Sequence, residues 1–260
     1  MSIVYSILLY IHIIVGFISL ILFWIPIASR KGGRRHRTAG RWYANAMYAV
    51  GVTALLLSIL LIVAPIAAKY PEHVFTAEQA ARFTERAYNF GVFLLAISAL
   101  VLVGVRHGLL TLQAKKNHAL MRQPTHLLAN GLLLAIGVYL AVTAMTAGSN
   151  QILFFVFAGL CGASAIGNLR YCLQAEVRPM EWLIAHLSAM LGVGIGSHTA
   201  FFVFGANRFV GELLTGNWLL IPWVGPGVIG TLAIVWLTRK YRRKYQQVNK
   251  NTVVTRPSAA

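Results

Sequence analysis

Residues 3–43 read IVYSILLYIHIIVGFISLILFWIPIASRKGGRRHRTAGRWY, and the change of character inside this stretch decides the fold. Residues 3–29 hold no Asp, Glu, Lys or Arg, whereas six of the fifteen residues from 29 to 43 are Lys or Arg. A helix needs about 20 apolar residues to cross the hydrocarbon of a bilayer, and this run supplies them. The basic segment that follows is of the kind that keeps a helix end on the cytoplasmic side. A cleavable signal peptide carries its charge before a shorter apolar core. The run is therefore expected to remain as a first membrane helix.

The same alternation continues along the chain. Apolar stretches of spanning length fall at 3–29, 44–68, 87–111, 125–147, 150–172, 182–206 and 217–238, the fourth and fifth joined by a small turn around Gly148, Ser149 and Asn150. The expected fold class is all-α: a polytopic membrane helix bundle of seven transmembrane helices. Residues 1–240 form one domain in this reading and 241–260 a polar, disordered cytoplasmic tail. Of the 23 Lys and Arg residues, nineteen fall in the first, third and fifth connections and the C-terminal tail, and four in the other connections. By the positive-inside rule the N-terminus lies outside and the C-terminus inside. Trp24, Trp42, Trp182 and Trp236 fall at expected inner helix ends, and Trp218 and Trp223 toward an outer one, as an interfacial aromatic belt requires.

Composition agrees. The 260 residues are 58% hydrophobic and 11% charged, where soluble domains carry about 25% charged residues. The formal charge of +17 arises from 23 basic residues against six acids, all of them Glu. That charge sits in short islands between apolar runs rather than on a polar surface, which argues against nucleic acid as a partner. The islands suit anionic lipid headgroups, each basic residue contributing about 1 kcal/mol. The expected location is a bacterial cytoplasmic (inner) membrane. Cys161 and Cys172 are eleven residues apart in one apolar segment, about 16 Å along a helix, which is beyond disulfide reach.

His36, Arg37, Gly40, Arg41 and Tyr43 form the pattern H-R-x-x-G-R-x-Y, preceded by His12-x-x-x-Gly16 in the first span. In these residues the chain resembles a family of bacterial multi-pass membrane proteins of unknown function. The segment from His118 to Arg122 is similar to that family's later His…Met…Arg stretch, though shorter and without a Trp before the Met. The resemblance implies a polytopic membrane fold and no particular reaction. Beside it, His36, Arg37, Arg41 and Tyr43 are candidates for gripping an anionic headgroup, a quinone carbonyl or a haem propionate, because guanidinium suits planar bidentate partners.

No enzyme constellation is visible. Glu72, Glu78, Glu85, Glu176, Glu181 and Glu212 all map to connections or helix ends, which removes paired-carboxylate chemistry from the interior and weakens a proton-coupled carrier. The chain has no Gly-x-Ser-x-Gly elbow, Walker loop or zinc-type cysteine spacing.

Histidines are the remaining versatile side chains. His12 and His198 lie at matching depths from the outer face, with Gly16 and Gly194 one helical turn away. His126, His186 and His107 cluster toward the inner level. A b-type haem needs imidazoles from facing helices and small residues beside the macrocycle. This gives the first functional expectation: haem b held by His12 and His198 as iron ligands, with an inner site among His126, His186 and His107. Such a protein would exchange electrons with a quinone or another redox partner.

The second expectation needs no cofactor. Asn130, Thr143, Ser164, Asn168 and Ser197 are intramembrane polar residues. With His126 one turn from Asn130, they suit a transporter of a small molecule, ion or lipid whose site is His126, Asn130 and Asn168. An assembly subunit with no site of its own is a third reading. The bland alternative for each histidine is a hydrogen bond to a neighbouring helix, and for each glycine a close helix contact.

Overall fold

The computed structural model describes residues 2–145, 151–205 and 220–254. Among them every regular element is helical. They are α1 (Ser2–Ala28), α2 (Arg34–Val63), the short α3 (Pro65–Lys69), α4 (Ala77–Ala114), a 3₁₀ turn (His118–Arg122), α5 (Pro124–Ala144), α6 (Gln151–Leu173), α7 (Glu181–Ala200) and α8 (Leu220–Val254). A π-helical turn, Phe201–Gly205, continues α7. Among the described residues six helices are long and apolar enough to cross a membrane: α1, α2, α4, α5, α6 and α7 with its π turn. The seventh expected span, 217–238, begins outside the described residues and continues in α8. The turn expected around Gly148, and the positions of Glu212 and Trp218, also lie outside them.

Two boundaries differ from expectation for local reasons. The basic segment is no loop: α2 begins at Arg34, directly after the turn at Gly32 (φ 76°) and Gly33. Arginine is a good helix former, so charge sets where the segment sits relative to a bilayer without preventing helix. Likewise α4 begins at Ala77 instead of 87. There the Gln79 backbone N–H reaches Thr76 Oγ1 (3.3 Å) and the Thr76 N–H reaches Gln79 Oε1 (3.1 Å), a reciprocal capping box. At the far end α8 runs to Val254, past the expected domain limit at 240.

Helix stops follow proline. Pro65 ends α2 and opens α3, and Pro124 occupies the first turn of α5, positions where a missing N–H costs nothing. Met180, before α7, holds a left-handed backbone (φ 65°).

The chain divides into two compact units, Met1–Arg106 with Arg122–Leu173, and His107–Met121 with Gln174–Ala260. In the first unit α1 packs on α2 and α5 on α6. α1 buries almost nothing but Ser19, and Ile3, Ile7, Tyr10, Ile14, Phe17, Ile21 and Trp24 are exposed. An exposed apolar surface of that extent suits lipid, not water. Contacts between helices rely on small residues, as they must where lipid is as apolar as the interior. A Cβ at Gly137 of α5 would lie 2.9 Å from Cys161 Cβ and 3.3 Å from the Ala158 carbonyl of α6. One at Gly91 of α4 would meet Ile62 and the Ser58 carbonyl of α2, and one at Gly51 would meet Leu102. Phe93 of α4 stacks on Phe154 of α6, with centroids 5.2 Å apart and planes 3° from parallel.

In the second unit α7 packs on α8. Gly108 accommodates Met190, whose Sδ would lie 2.8 Å from an added Cβ, and Gly230 accommodates Ile195. Arg242 of α8 donates to Glu181 at 2.6 Å.

Candidate functional site

The first-segment motif lies on the opening turns of α2, and its parts separate. His36 turns toward α1, where its Nδ1 is 3.1 Å from the Pro26 carbonyl. Lys31 Nζ donates to the same carbonyl (2.9 Å) and to that of Ile27 (2.7 Å), while Ser29 Oγ donates to Ile25 O (2.6 Å). The Pro26 and Ile27 carbonyls belong to the last turn of α1, beyond the final backbone bond from Ser29 N–H to Ile25 O (3.0 Å). His36 and Lys31 therefore cap α1. Partial burial there lowers the Lys31 pKa from its ordinary value. Arg37 and Arg41 are exposed. Tyr43 is 3% exposed and packs on Phe23, and its hydroxyl has no hydrogen-bond partner among the described residues.

His12 lies on the α1 face that meets α2. Its Nδ1 is 3.0 Å from Thr53 Oγ1 and 3.2 Å from the Val50 carbonyl. Because the Thr53 hydroxyl spends its own proton on α2 carbonyls at 2.8 and 3.0 Å, the network assigns the proton to His12 Nδ1. A Cβ at Gly16, one turn on, would meet no atom within 4 Å. His198 belongs to the other unit, and its Nδ1 donates back to Gly194 O of its own helix (2.8 Å). In that unit His186 Nδ1 bonds the Gly108 carbonyl (2.7 Å), tying α7 to the last part of α4, and His107 is buried nearby in sequence. The expected His12–His198 pair thus falls on separate units, each member with an Nδ1 partner close at hand.

The densest polar arrangement within one unit lies on α4, α5 and α6. His126 and Asn130, one turn apart on α5, are both 0% exposed. Asn130 Nδ2 donates to the His126 carbonyl (2.8 Å) and lies 3.4 Å from His126 Nε2. Asn168 of α6 donates from Nδ2 to Asn130 Oδ1 (2.9 Å). At the start of α5, Arg106 Nη2 donates to Thr125 Oγ1 (2.8 Å), and Arg122 Nε reaches the Cys172 carbonyl (3.4 Å). Arg106 is close enough for its charge to act on both His126 and Tyr48. A ring nitrogen of His126 and the Cys172 thiol lie within 4.8 Å, two donors of metal-ligating type.

Two of the other expected polar residues, Thr143 and Ser197, are satisfied locally. Thr143 Oγ1 donates to Tyr139 O and Ser197 Oγ to Val193 O, each on its own helix. The His126–Asn130 pair was visible as an i, i+4 spacing; the bond from Asn168 needed the register of α6 against α5. Arg106 and Cys172 were missed, one counted as topological charge and the other considered only for a disulfide. The signal for Arg106 was the absence of any acid between Glu85 and Glu176. No protein-family model, curated protein or solved structure matches this chain.

Proposed function

We propose that the chain is a multi-pass protein of a bacterial cytoplasmic membrane, with seven spans, its N-terminus outside and its C-terminus inside, and that it binds and moves a small polar solute. The site is His126, Asn130 and Asn168. The observation that carries this reading is Asn130: a fully buried amide whose nitrogen reaches back to His126 and whose oxygen accepts from the next helix. Polar side chains inside membrane spans are costly, and a linked set of them marks a pathway or binding site by default. In proteoliposomes followed by light scattering, glycerol, urea or sodium formate should equilibrate faster than in protein-free vesicles. Asn130→Leu should slow that flux by about fivefold or more, the effect of losing about 1 kcal/mol, while Thr143→Val leaves it intact. Flux at the vesicle background for all three solutes, or flux indifferent to Asn130, refutes the reading.

A second reading, a b-type haem protein exchanging electrons with quinone, has one observation in its favour. His12 donates through Nδ1, which leaves Nε2 as the nitrogen bearing the lone pair, the tautomer that metal-bound imidazoles adopt. The test is a visible spectrum, before and after dithionite, of protein expressed with added haem. A Soret band abolished by His12→Ala and by His198→Ala supports it, and absence of the band removes it.

A further inference from the structure

We infer that Arg106 and Thr125 form an oxyanion site at the start of α5, taking the phosphate of a lipid headgroup or of a soluble anion. This deepens the proposed function and rests on reading the α4–α5–α6 cluster as a ligand site. Arg106 sits within the spanning helix α4, half-buried, and its Nε is buried without a hydrogen-bond partner among the described residues. A guanidinium offers five N–H donors; here one nitrogen, Nη2, is engaged by Thr125.

Among the described residues no carboxylate lies within 4 Å of it. α1, α2, α5 and α6 contain no Asp or Glu, and the nearest acid along α4, Glu85, is 21 residues away, about 31 Å of helix. Arg106 stands toward the inner end of that long helix, where a guanidinium without a carboxylate partner is balanced by an anion from outside the chain. Thr125 adds a second donor: its oxygen accepts from Arg106, so its hydroxyl proton remains to be given. Both groups stand at the N-terminal end of α5, where the helix dipole also favours an anion. His126 follows Thr125 directly in the chain. The site's chemistry is thus two hydrogen-bond donors and a fixed positive charge with no carboxylate within 4 Å among the described residues, which suits phosphate rather than a metal cation.

The experiment uses the purified full chain in detergent. Native mass spectrometry compares retention of phosphatidylglycerol with that of phosphatidylcholine, and a thermal-shift titration uses inorganic phosphate. Preferential phosphatidylglycerol retention identifies a headgroup source, and saturable stabilisation by phosphate a soluble one; either supports the site. In both arms Arg106→Gln should weaken binding by about tenfold or more, as loss of a charge-assisted bond implies. Thr125→Val should weaken it less, and Arg106→Lys should restore part of it. Arg82→Gln, on an exposed residue at the other end of α4, should leave it unchanged. If Arg106→Gln fails to fold, Thr125→Val and Arg106→Lys decide the question. Equal retention of both lipids with no phosphate response, or binding unaffected by the Arg106 and Thr125 variants, overturns the inference. Flux that still depends on Asn130 would then leave the solute pathway standing; anion binding without flux would do the reverse.

Discussion

The start of α2 and the start of α5 hold the same kinds of residue and put them to different use. Each has a histidine within the first turn, arginines close by and a glycine on the same helix. At α2 the histidine reaches a carbonyl of the preceding helix and the arginines point outward. At α5 the histidine is fully buried, an asparagine bonds it, and the neighbouring arginine keeps a buried nitrogen with no acceptor among the described residues. Residue type near a helix end therefore does not distinguish a cap from a binding cluster. What does is whether the next helix closes over it.

The same substitution at the two glycines is the strongest way to break this contrast. Gly137→Ala places a methyl against Cys161 and the Ala158 carbonyl, and overpacking of that kind costs about 2 kcal/mol. Gly40→Ala meets nothing within 4 Å and gains up to about 1 kcal/mol in helix propensity. Thermal unfolding in detergent should move in opposite directions for the two; a drop at Gly40 would mean that its surface is covered by a ligand or a partner.

Asn130→Leu ranks next. It leaves half-buried Asn168 with a donor and no acceptor, for a loss of about 1 kcal/mol, and Asn168→Leu in the same chain should recover part of that loss. Additive losses in the double variant would show that the two amides do not act as a pair. Tyr43→Phe should raise stability by about 1 kcal/mol, because it removes a buried hydroxyl that bonds nothing among the described residues. Destabilisation there would show that the hydroxyl is engaged when the protein is in its membrane. The smallest effect belongs to His36→Gln, about 0.5 kcal/mol, since Lys31 still serves the Pro26 carbonyl. A loss as large as that at Asn130 would give the α2 motif a role beyond capping.

Most of the architecture could be read in the sequence because length and the absence of charge are enough to specify a spanning helix. The first run, expected at 3–29, is the helix Ser2–Ala28. Ends were less legible. Charge at Arg34 marked a limit for the bilayer and was mistaken for a limit of the helix, although the capping box at Thr76 and Gln79 was there to be seen before α4. Of the site, one half was readable. His126 and Asn130 share a face of one helix, which a period of 3.6 residues reveals. The partner Asn168 depends on how α6 is seated, and that seat is set by Gly137 against Cys161 and Ala158 rather than by any periodicity. Arg106 was hidden in plain counting: tallying it as one of 23 basic residues erased the fact that nothing acidic lies near it in the chain.

The capping of α1 also bears on how the protein enters a membrane during synthesis. The last carbonyls of α1 are satisfied by side chains four to ten residues further along, from Lys31 and His36. When α1 alone has emerged from the ribosome, those oxygens have only water or the insertion machinery to bond. Lys31 reaches both the Pro26 and the Ile27 carbonyl and precedes the turn at Gly32, so that helix end can be completed by the segment that directly follows it, and His36 adds a second partner for Pro26 once α2 has begun.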